Sequence, residues 1–250
     1  MKINIITGGS RGLGRSMALH LAGKGQDSII TFHSRKAEAQ AVVKEIEAKG
    51  CRAAALQLDV SNTKSFGAFA DDVKQMLSTI WQRANFDHLV NNAGNGLSAP
   101  IEAASEEMFD ELMNIHLKAP FFLTQMLLPL MADGGKIINI SSGLARFSYP
   151  TRAAYAMMKG GIEVFTRYLA TELGSRGITA NTLAPGAIAT DFGGGAVRDN
   201  PQVNAQIASQ TALGRVGEAD DIGLLAAAML TDDFRWVNGQ RIEASGGIFL

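Results

Sequence analysis

The chain has 250 residues, of which 46% are hydrophobic and 19% charged, and its formal net charge is −1. These values are typical of a globular protein with a sizeable core, and the lack of a clustered basic stripe argues against a nucleic-acid surface. The single cysteine, Cys51, excludes an internal disulfide and a thiolate metal cluster, and it favours a reduced, cytoplasmic setting. No segment approaches the ~18 consecutive apolar residues of a membrane span, so no membrane partner is expected.

Apolar runs of strand type alternate with longer helical patterns along the whole chain. The predicted strands are Ile3–Ile6, Ser28–Phe32, Ala53–Leu58, His88–Val90, Lys136–Ile140, Thr179–Leu183 and Gln240–Ser245. The predicted helices are Gly14–Gly23, Ala37–Ala48, Thr63–Arg83, Ser105–Leu130 (in more than one piece), Tyr155–Leu173 and Asp220–Leu230. This alternation predicts an α/β fold, a three-layer, doubly wound parallel sheet of the Rossmann type. No composition shift or linker divides the chain, so a single domain should span residues 1–250.

A glycine-rich turn follows the first predicted strand. The segment Thr7–Gly14 places glycines at positions 8, 12 and 14 and leads directly into a helical pattern. Glycine permits a tight turn and a close backbone approach to a pyrophosphate, and the helix that follows directs free N–H groups at the phosphates. The plain alternative is an ordinary glycine-rich connection. The strand before the turn and the helix after it favour a dinucleotide site.

The end of the second predicted strand bears on the choice between NAD and NADP. An acidic residue there would bind the ribose 2′-OH of NAD, whereas basic residues favour the 2′-phosphate of NADP. The segment Ile30–Lys36 contains no carboxylate and carries His33, Ser34 and Arg35, with Arg11 of the glycine turn nearby. The alternative is that these cations are simply solvated. The charge pattern predicts NADP rather than NAD.

A tyrosine and a lysine lie four residues apart in a predicted helix. Tyr155 and Lys159 would project from the same helix face, and a nearby ammonium lowers the pKa of a phenol. Such a tyrosine can act as a general acid or base near neutral pH. Ser142 ends the apolar run Lys136–Ser142 and could hold a substrate oxygen. A Tyr-x-x-x-Lys pair alone is a weak signal, and its meaning depends on the rest of the chain.

Five motifs occur in a fixed order and together resemble one family. They are TGGSRGLG (Thr7–Gly14), NNAG (Asn91–Gly94), Ser142, YAMMK (Tyr155–Lys159) and APG (Ala184–Gly186). The chain resembles the short-chain dehydrogenase/reductase family over essentially its whole length, including the tail motifs Gly214–Gly223 and Asn238–Gly247. It departs in a long Leu77–His88 link and in Ser245, where the family commonly has Asp.

The resemblance implies catalytic roles at four positions. Tyr155 would be the general acid/base, Ser142 would hydrogen-bond the same carbonyl oxygen, and Lys159 would lower the tyrosine pKa and hold the nicotinamide ribose. Asn114 matches the helix asparagine that positions a water in a proton relay. The physics agrees, since Ser142 and Tyr155 together would stabilise developing alkoxide charge.

The resemblance also implies a cofactor-binding set drawn from the glycine turn and the carboxyl ends of the strands. The set is Thr7, Gly8, Ser10, Arg11, Gly12, Leu13, Gly14, His33, Ser34, Arg35, Asp59, Val60, Asn91, Ala93, Gly94, Ile140, Tyr155, Lys159, Pro185, Gly186, Ile188 and Thr190. Asp59 and Val60 would contact the adenine, and the residues from Pro185 to Thr190 would flank the nicotinamide carboxamide and the pyrophosphate.

The expected activity is NADP-dependent interconversion of a ketone and a secondary alcohol by hydride transfer. A 3-oxoacyl thioester is the leading substrate class by resemblance, which would make an acyl carrier protein a partner. A sugar, steroid or small-ketone reductase stays open, as does a non-catalytic dinucleotide sensor or another nucleotide-binding enzyme such as a methyltransferase. The resemblance further implies a homotetramer.

The remaining features receive plainer readings. Four histidines, His20, His33, His88 and His116, show no metal-ligand spacing and are interpreted as surface or packing residues, so no metal site is expected. Arg146 is interpreted as a solvated loop residue. The glycine-rich segment Thr190–Gln206 is predicted to be a lid over the substrate. The expected pocket lining, Asn95, Leu144, Phe147, Tyr149, Ala187 and Phe192, identifies no particular substrate.

Overall fold

The computed structural model describes residues 1–250 and contains one seven-stranded sheet in which all paired strands are parallel. The strands are β1 (Ile3–Ile6), β2 (Asp27–Phe32), β3 (Ala53–Gln57), β4 (Phe86–Asn91), β5 (Met131–Ile140), β6 (Thr179–Pro185) and β7 (Arg241–Ala244). Their order across the sheet is β3-β2-β1-β4-β5-β6-β7. The chain therefore winds outward in one direction from β1 and in the other from β4. This confirms the predicted doubly wound fold and puts its crevice at the carboxyl ends of β1 and β4.

Helices cover both faces of the sheet. They are α1 (Gly12–Gly23), α2 (Lys36–Glu47), α3 (Phe66–Met76), α4 (Glu106–Met113), α5 (Ala119–Leu127), α6 (Ala153–Glu172), α7 (Ala196–Asp199), α8 (Pro201–Ser209) and α9 (Ala219–Met229). One apolar cluster lies between the sheet and the layer of α1, α2 and α9, and a second lies between the sheet and the layer of α3, α5 and α6. Strands buried on both faces explain why their sequences read as continuous apolar runs.

The longest predicted helices are interrupted, as the sequence suggested for Ser105–Leu130. A π-helical turn, Asn114–Lys118, separates α4 from α5, and another, Leu77–Trp81, follows α3. The second turn accounts for the long link before β4. It directs Trp81 onto the buried Asp27 carboxylate, to which the indole Nε1 donates a hydrogen bond of 2.7 Å. The link is long because it supplies a partner for a buried charge.

Two strands begin earlier than predicted. β4 starts at Phe86 and β5 at Met131, where these two residues pair, and the register shifts between Phe86 and His88. The sequence did not predict the early start of β5 because an aspartate and two glycines, Asp133, Gly134 and Gly135, precede Lys136. The extra length lies at the amino ends of the strands and leaves the crevice unchanged.

The interpretation of Arg146 as a solvated residue is wrong. Its guanidinium donates two hydrogen bonds to Glu243 of β7, at 2.8 and 2.7 Å, and a third of 2.8 Å to the carbonyl oxygen of Ile248. Arg241 joins the same carboxylate and also Glu163 of α6, at 2.7 Å each. These ion pairs fasten the loop after β5 to β7 and to the C-terminal segment.

No helix of the structure is long and apolar enough to cross a membrane. No group of three or more His, Cys, Asp or Glu side chains is placed to hold a metal ion. Two histidines predicted to be surface or packing residues, His88 and His116, are buried. Burial lowers the pKa of His88 to about 4, and its Nδ1 accepts a hydrogen bond of 3.1 Å from the backbone N–H of Lys136.

Candidate active site

The glycine turn leads from β1 into α1 with its backbone held from both sides. Gly8 and Gly12 have positive φ angles of 68° and 55°, which glycine adopts without strain. The N–H of Gly9 donates to the carbonyl oxygen of Thr31 at 2.8 Å. An added Cβ on Gly9 would lie 2.6 Å from the Cβ of Ile30, so only glycine fits against β2. The predicted turn is therefore built by contacts with the neighbouring strand.

Thr7 connects the glycine turn to the predicted NNAG motif. Its hydroxyl oxygen accepts hydrogen bonds of 2.9 Å from the backbone N–H groups of both Asn92 and Ala93. The side-chain Nδ2 of Asn92 also donates a hydrogen bond of 2.8 Å to the carbonyl oxygen of Thr7. The predicted set omitted Asn92. Its position beside a motif residue was the only signal in the sequence, because the contact depends on β1 and β4 being neighbours.

The space at the start of α1 fits a pyrophosphate. The first turn of α1 has no acidic residue and no side-chain cap, so its N–H groups and positive dipole end are free. A Cβ built on Gly12 would meet nothing nearer than the Thr190 side chain, 3.8 Å away. Predicted residues from two distant segments thus border one open space between the turn and the segment after β6.

The predicted adenosine end lies at the carboxyl ends of β2 and β3. His33, Ser34 and Arg35 are exposed there, and Arg35 pairs with Glu38 of α2 at 2.6 Å. Asp59 accepts two hydrogen bonds from Ser61, and the Ser61 hydroxyl is the main reason that the pKa of Asp59 is lowered. Both basic residues at the end of β2 thus face carboxylates from neighbouring elements, since His33 Nε2 also lies 3.8 Å from Asp59 Oδ2.

Arg11 does not stand free beside these cations. It forms an ion pair of 2.9 Å with Asp191, which lies at the start of the predicted lid. Asp191 also pairs with Arg198 of α7. The lid segment is folded rather than open loop, as a 3₁₀ turn (Phe192–Gly195) followed by α7 and α8. Asp191 therefore links the phosphate-side turn to the segment that lies over the crevice.

Ser142, Tyr155 and Lys159 come together at the carboxyl end of β5. The Ser142 hydroxyl accepts a hydrogen bond of 3.2 Å from the backbone N–H of Leu144 and lies near enough to the Tyr155 phenol to oppose the rise in its pKa. Lys159 lies one helical turn beyond Tyr155, with Nζ 5.5 Å from the centre of the phenol ring. Its ammonium donates a hydrogen bond of 2.8 Å to the carbonyl oxygen of Ile140. The weak spacing motif is thus one cluster built from β5 and α6.

The electrostatics of this cluster differ from the expectation. The resemblance predicts that Lys159 lowers the pKa of Tyr155, but burial raises that pKa, and the nearby Ser142 hydroxyl opposes only part of the rise. Burial also lowers the pKa of Lys159 to about 7. Removal of both groups from water outweighs their mutual effect here. Tyr155 is consequently a protonated phenol, which suits a proton donor.

The helix residue that reaches this cluster is His116, not the predicted Asn114. The His116 ring meets the Tyr155 ring edge-on, with ring centres 5.1 Å apart and an interplanar angle of 83°. Residues two positions apart on a helix point to nearly opposite sides. Asn114 is half-buried, and its hydrogen bonds are made by its backbone, whose N–H donates to the carbonyl oxygens of Asp110 and Glu111 and whose carbonyl accepts from Ala119. The structure thus brings His116 against Tyr155, and the role of Asn114 in positioning a water stays a prediction.

Asn91 also lies elsewhere than predicted. Its side chain is buried, and its amide nitrogen donates to Asn139 of β5 at 2.8 Å and to Thr124 of α5 at 3.0 Å. Asn139 continues the chain to Thr166 of α6 at 2.9 Å. The Asn91 side chain thus joins β4, β5 and two helices inside the protein, and it does not face the crevice.

Comparison with known proteins agrees with this site. A family model described as enoyl-(acyl carrier protein) reductase matches residues 8–248. The 3-oxoacyl-(acyl-carrier-protein) reductase FabG of Staphylococcus aureus is 36% identical over 252 residues, which cover 100% of this chain and 98% of that protein. The chain belongs to the short-chain dehydrogenase/reductase family. It is accordingly an oxidoreductase of this family, as the resemblance indicated.

Solved structures of this family superpose closely. The reductase LugOII, which catalyses keto-reduction at C1 during lugdunomycin biosynthesis, has a TM-score of 0.94 and 38% identity, covering 100% of this chain and 98% of that chain. The angucycline C-6 ketoreductase LanV, solved with bound NADP, has a TM-score of 0.94 and 34% identity, covering 99% and 95% respectively. Both relatives are ketoreductases.

In this short-chain dehydrogenase/reductase, aromatic side chains border the cluster. The half-exposed Phe192 ring lies 6.0 Å from the Tyr155 ring, and the Phe147 and Phe249 rings lie 4.9 Å apart. A Cβ on Gly96 would lie 2.8 Å from Phe192 Cε1, so the glycine lets the ring approach the loop after β4. The predicted lining residues Phe147 and Phe192 thus form an apolar rim over a polar cluster.

Proposed function

We propose that this protein reduces a ketone to a secondary alcohol with NADPH. The single observation that carries the proposal is the grouping of Tyr155 with Ser142 and Lys159, whose Nζ lies 5.5 Å from the phenol ring centre, at the sheet edge that also holds the glycine turn. Family membership and the ketoreductase activity of close structural relatives support it. A non-catalytic dinucleotide sensor would have no need of this cluster, since fold alone requires none of it.

The residues divide the chemistry between them. NADPH, when bound, supplies the hydride. The Ser142 and Tyr155 hydroxyls hold the carbonyl oxygen, and Tyr155 gives its proton to that oxygen as negative charge develops. Because burial raises the pKa of Tyr155, the phenol is fully protonated at neutral pH and ready to donate. Lys159 holds the ribose and, when charged, stabilises the phenolate that remains.

The cofactor choice rests on the charges at the end of β2. Arg35 and His33 are exposed beside Ser34, and no carboxylate ends β2, where a ribose-binding acid would lie. An arginine can hold a 2′-phosphate with charge-assisted hydrogen bonds, and a missing carboxylate removes the main NAD contact. NADP bound to LanV supports the same choice.

The aromatic rim favours a ketone with an apolar, ring-containing body. Phe147, Phe192 and Phe249 can stack on flat carbon rings, and such contacts contribute about 0.5–1.5 kcal/mol beyond area burial. LugOII catalyses keto-reduction at C1 during lugdunomycin biosynthesis and LanV is an angucycline C-6 ketoreductase, which supports a ketone as the substrate. The second candidate is a 3-oxoacyl thioester, which likeness to FabG supports; an acyl carrier protein would then be a partner.

A substrate panel tests the proposal. NADPH oxidation should be followed at about 340 nm, the absorbance band of the reduced nicotinamide on which hydride transfer is read, with a polycyclic aromatic ketone, a 3-oxoacyl thioester, a 2-enoyl thioester, a sugar ketone and a steroid ketone. The wild-type protein should reduce a ketone, and Tyr155→Phe should lower kcat by about 10²–10⁴-fold. Equal rates for both proteins would sink the catalytic assignment. Reduction of the enoyl thioester alone would replace it with carbon–carbon double-bond reduction.

We also propose a homotetramer located in the cytoplasm. Large apolar side chains stay exposed along α5 and α6, among them Phe121, Phe122, Met157 and Tyr168, and exposed patches of this kind mark protein interfaces. The single buried thiol, Cys51, supports a reducing compartment. Light scattering that gave only the 26.5 kDa mass of one chain would overturn the tetramer.

A further inference from the structure

His116 is a buried imidazole that the mechanism above does not use. Only 2% of its surface is exposed. It lies in the π-helical turn Asn114–Lys118, and single π-turns within helices occur frequently at functional sites. The turn lets α4 and α5 continue in one direction while this one side chain faces Tyr155.

The hydrogen bonds of His116 define its tautomer. Nε2 lies 2.9 Å from the carbonyl oxygen of Asn95 and 3.2 Å from its side-chain Oδ1, and both are acceptors. The Asn95 amide nitrogen is already engaged with Glu111 at 2.6 Å, which fixes the Oδ1 orientation. Nε2 therefore carries the proton, and Nδ1 is a hydrogen-bond acceptor.

That acceptor is buried and has no protein partner. Nδ1 is inaccessible and unpaired, on the side of the ring that faces Gly94. A Cβ added to Gly94 would lie 2.6 Å from His116 Cε1 and 3.1 Å from Nδ1. Buried polar atoms are rarely unsatisfied, and those that are demand an explanation such as a bound water or a catalytic role. Glycine at position 94 therefore lets the segment after β4 pack directly against the ring.

The ring is also electrically neutral. Burial and the nearby Lys159 charge lower the pKa of His116 well below its usual range, and the Asn95 carbonyl opposes this only in part. A neutral imidazole beside Lys159 adds no competing positive charge. It provides a fixed acceptor next to a phenol and an ammonium, both of which are donors.

We propose that His116 is a positioning residue of the reductase, whose ring orients Tyr155 and whose Nδ1 accepts a hydrogen bond within the site. The proposal rests on the proposed function and assigns to His116 the place on this helix that the sequence suggested for Asn114. The donor to Nδ1 is a bound water, the usual partner of a buried polar atom that no protein group satisfies, and that water links His116 to the proton supply of Tyr155. No atom of His116 reacts.

Three variants separate ring shape from hydrogen bonding. His116→Phe keeps a ring against Tyr155 and removes both nitrogens, whereas His116→Asn keeps a short polar side chain. We expect His116→Phe to lower kcat about 10- to 100-fold, less than loss of the acid itself, with an unchanged Kd for NADPH. His116→Asn should recover part of that loss. His88→Phe is the matched control, because it removes another buried histidine at β4 and should lower Tm without changing kcat at 25 °C.

Several outcomes would overturn the proposal. His116→Phe with kcat within twofold of the wild type would do so, as would a parallel loss of Tm and NADPH binding like that of a packing residue. Asn114→Ala tests the alternative residue. A large loss of kcat in Asn114→Ala, with none in His116→Phe, would assign the positioning role to Asn114 instead of His116. Equal kcat values for His116→Asn and His116→Phe would contradict the part of the proposal in which Nδ1 accepts a hydrogen bond.

A spectroscopic measurement keeps this test independent of the substrate. With ¹⁵N-labelled histidine, the His116 signals, assigned by their loss in His116→Asn, should show a neutral ring protonated on Nε2 at pH 6. Addition of NADPH should shift the Nδ1 signal. If the wild type reduces no ketone, the proposed function fails, and the spectrum alone decides on His116. A charged ring, or an Nδ1 signal that NADPH leaves unchanged, would contradict the proposal.

Discussion

Lys159 Nζ donates a hydrogen bond of 2.8 Å to the carbonyl oxygen of Ile140, the last residue of β5. The bond satisfies a buried ammonium at the strand end and holds α6 against the sheet one turn beyond Tyr155. It also fixes the distance between the lysine and the phenol ring at 5.5 Å. The main chain of β5 therefore positions Lys159 one helical turn beyond Tyr155.

The burial of Lys159 predicts that stability rises with pH. Its folded pKa is lowered to about 7, whereas an unfolded lysine titrates near ~10.4. Between these values the unfolded state binds more protons, so the free energy of unfolding should rise by up to about 1.4 kcal/mol per pH unit. Urea denaturation of the cofactor-free protein at pH 7, 8 and 9 should show this slope. Lys159→Met should lack it, and parallel curves for the two proteins would contradict the prediction.

Ser142→Ala should slow the reaction far more than it weakens the fold. The change removes one of two hydroxyls on the carbonyl oxygen, a loss of about 10²–10³-fold in kcat for such donors. Ser141→Ala is the matched control, since the Ser141 hydroxyl donates at 2.7 Å to Glu163, within the protein interior. The control should lower Tm with a much smaller change in kcat. Similar kcat values for the two variants would contradict the proposed contact between Ser142 and the carbonyl oxygen of the substrate.

Arg35→Asp should change the preference between NADPH and NADH. Loss of a charge-assisted hydrogen bond to the 2′-phosphate costs about 1.5–3 kcal/mol, which corresponds to roughly 10- to 100-fold in the ratio of kcat/KM values. The new carboxylate would also suit a ribose 2′-OH. Lys24→Asp makes the same charge change at the far end of α1 and should leave the ratio unaltered. If both variants changed the NADPH-to-NADH ratio of kcat/KM equally, the effect would come from long-range electrostatics and not from a contact of Arg35 with the 2′-phosphate.

Glu243 should stabilise the protein in a pH-dependent way. The Arg146 hydrogen bonds, with those of Ser245 and Arg241, lower the pKa of this carboxyl to about 2 despite its partial burial. Because the folded pKa is below the unfolded value near ~4.3, the stabilisation is present above pH 4.3 and is lost as the pH falls towards 2.

Glu243→Gln tests this ion pair network. At pH 7 it should lower the free energy of unfolding by about 1–3 kcal/mol, because two arginines lose their charged partner. The difference from the wild type should shrink below pH 4, where the natural carboxyl also becomes protonated. Thermal unfolding at pH 7, 5 and 3 would measure it. A constant difference across this range would show that the network acts by packing alone.

Much of the fold was predictable because it depends on local patterns. Apolar runs predicted β1 to β6, since parallel strands covered on both faces must be apolar. The last strand, β7, is half-buried and alternates charged with apolar residues. The glycine turn was equally clear, because a strand, a positive-φ glycine and a helix start are local features. The early starts of β4 and β5 were missed because polar and glycine residues there pair only through the neighbouring strand.

The site residues were predictable where they belong to a recognisable motif. They were not predictable where the direction of a side chain depends on the rotation of its helix. Tyr155, Ser142 and Lys159 came together as expected. Asn114 and His116 are two positions apart, and the π-helical turn between α4 and α5 decides which one faces Tyr155. A pattern of residue types does not reveal such a turn, because it changes the helix rotation without changing composition.

The sequence by itself determined the layers, the glycine turn and the grouping of Tyr155 with Lys159, because each follows from short-range periodicity or a compact motif. Only the tertiary structure decided that Asn91 is an interior residue, that Arg146 pairs with Glu243, and that His116 meets Tyr155. These contacts join residues from 39 to 97 positions apart in the chain. Which of several polar residues satisfies a buried partner depends on sheet order and helix rotation, and neither is encoded in any single segment.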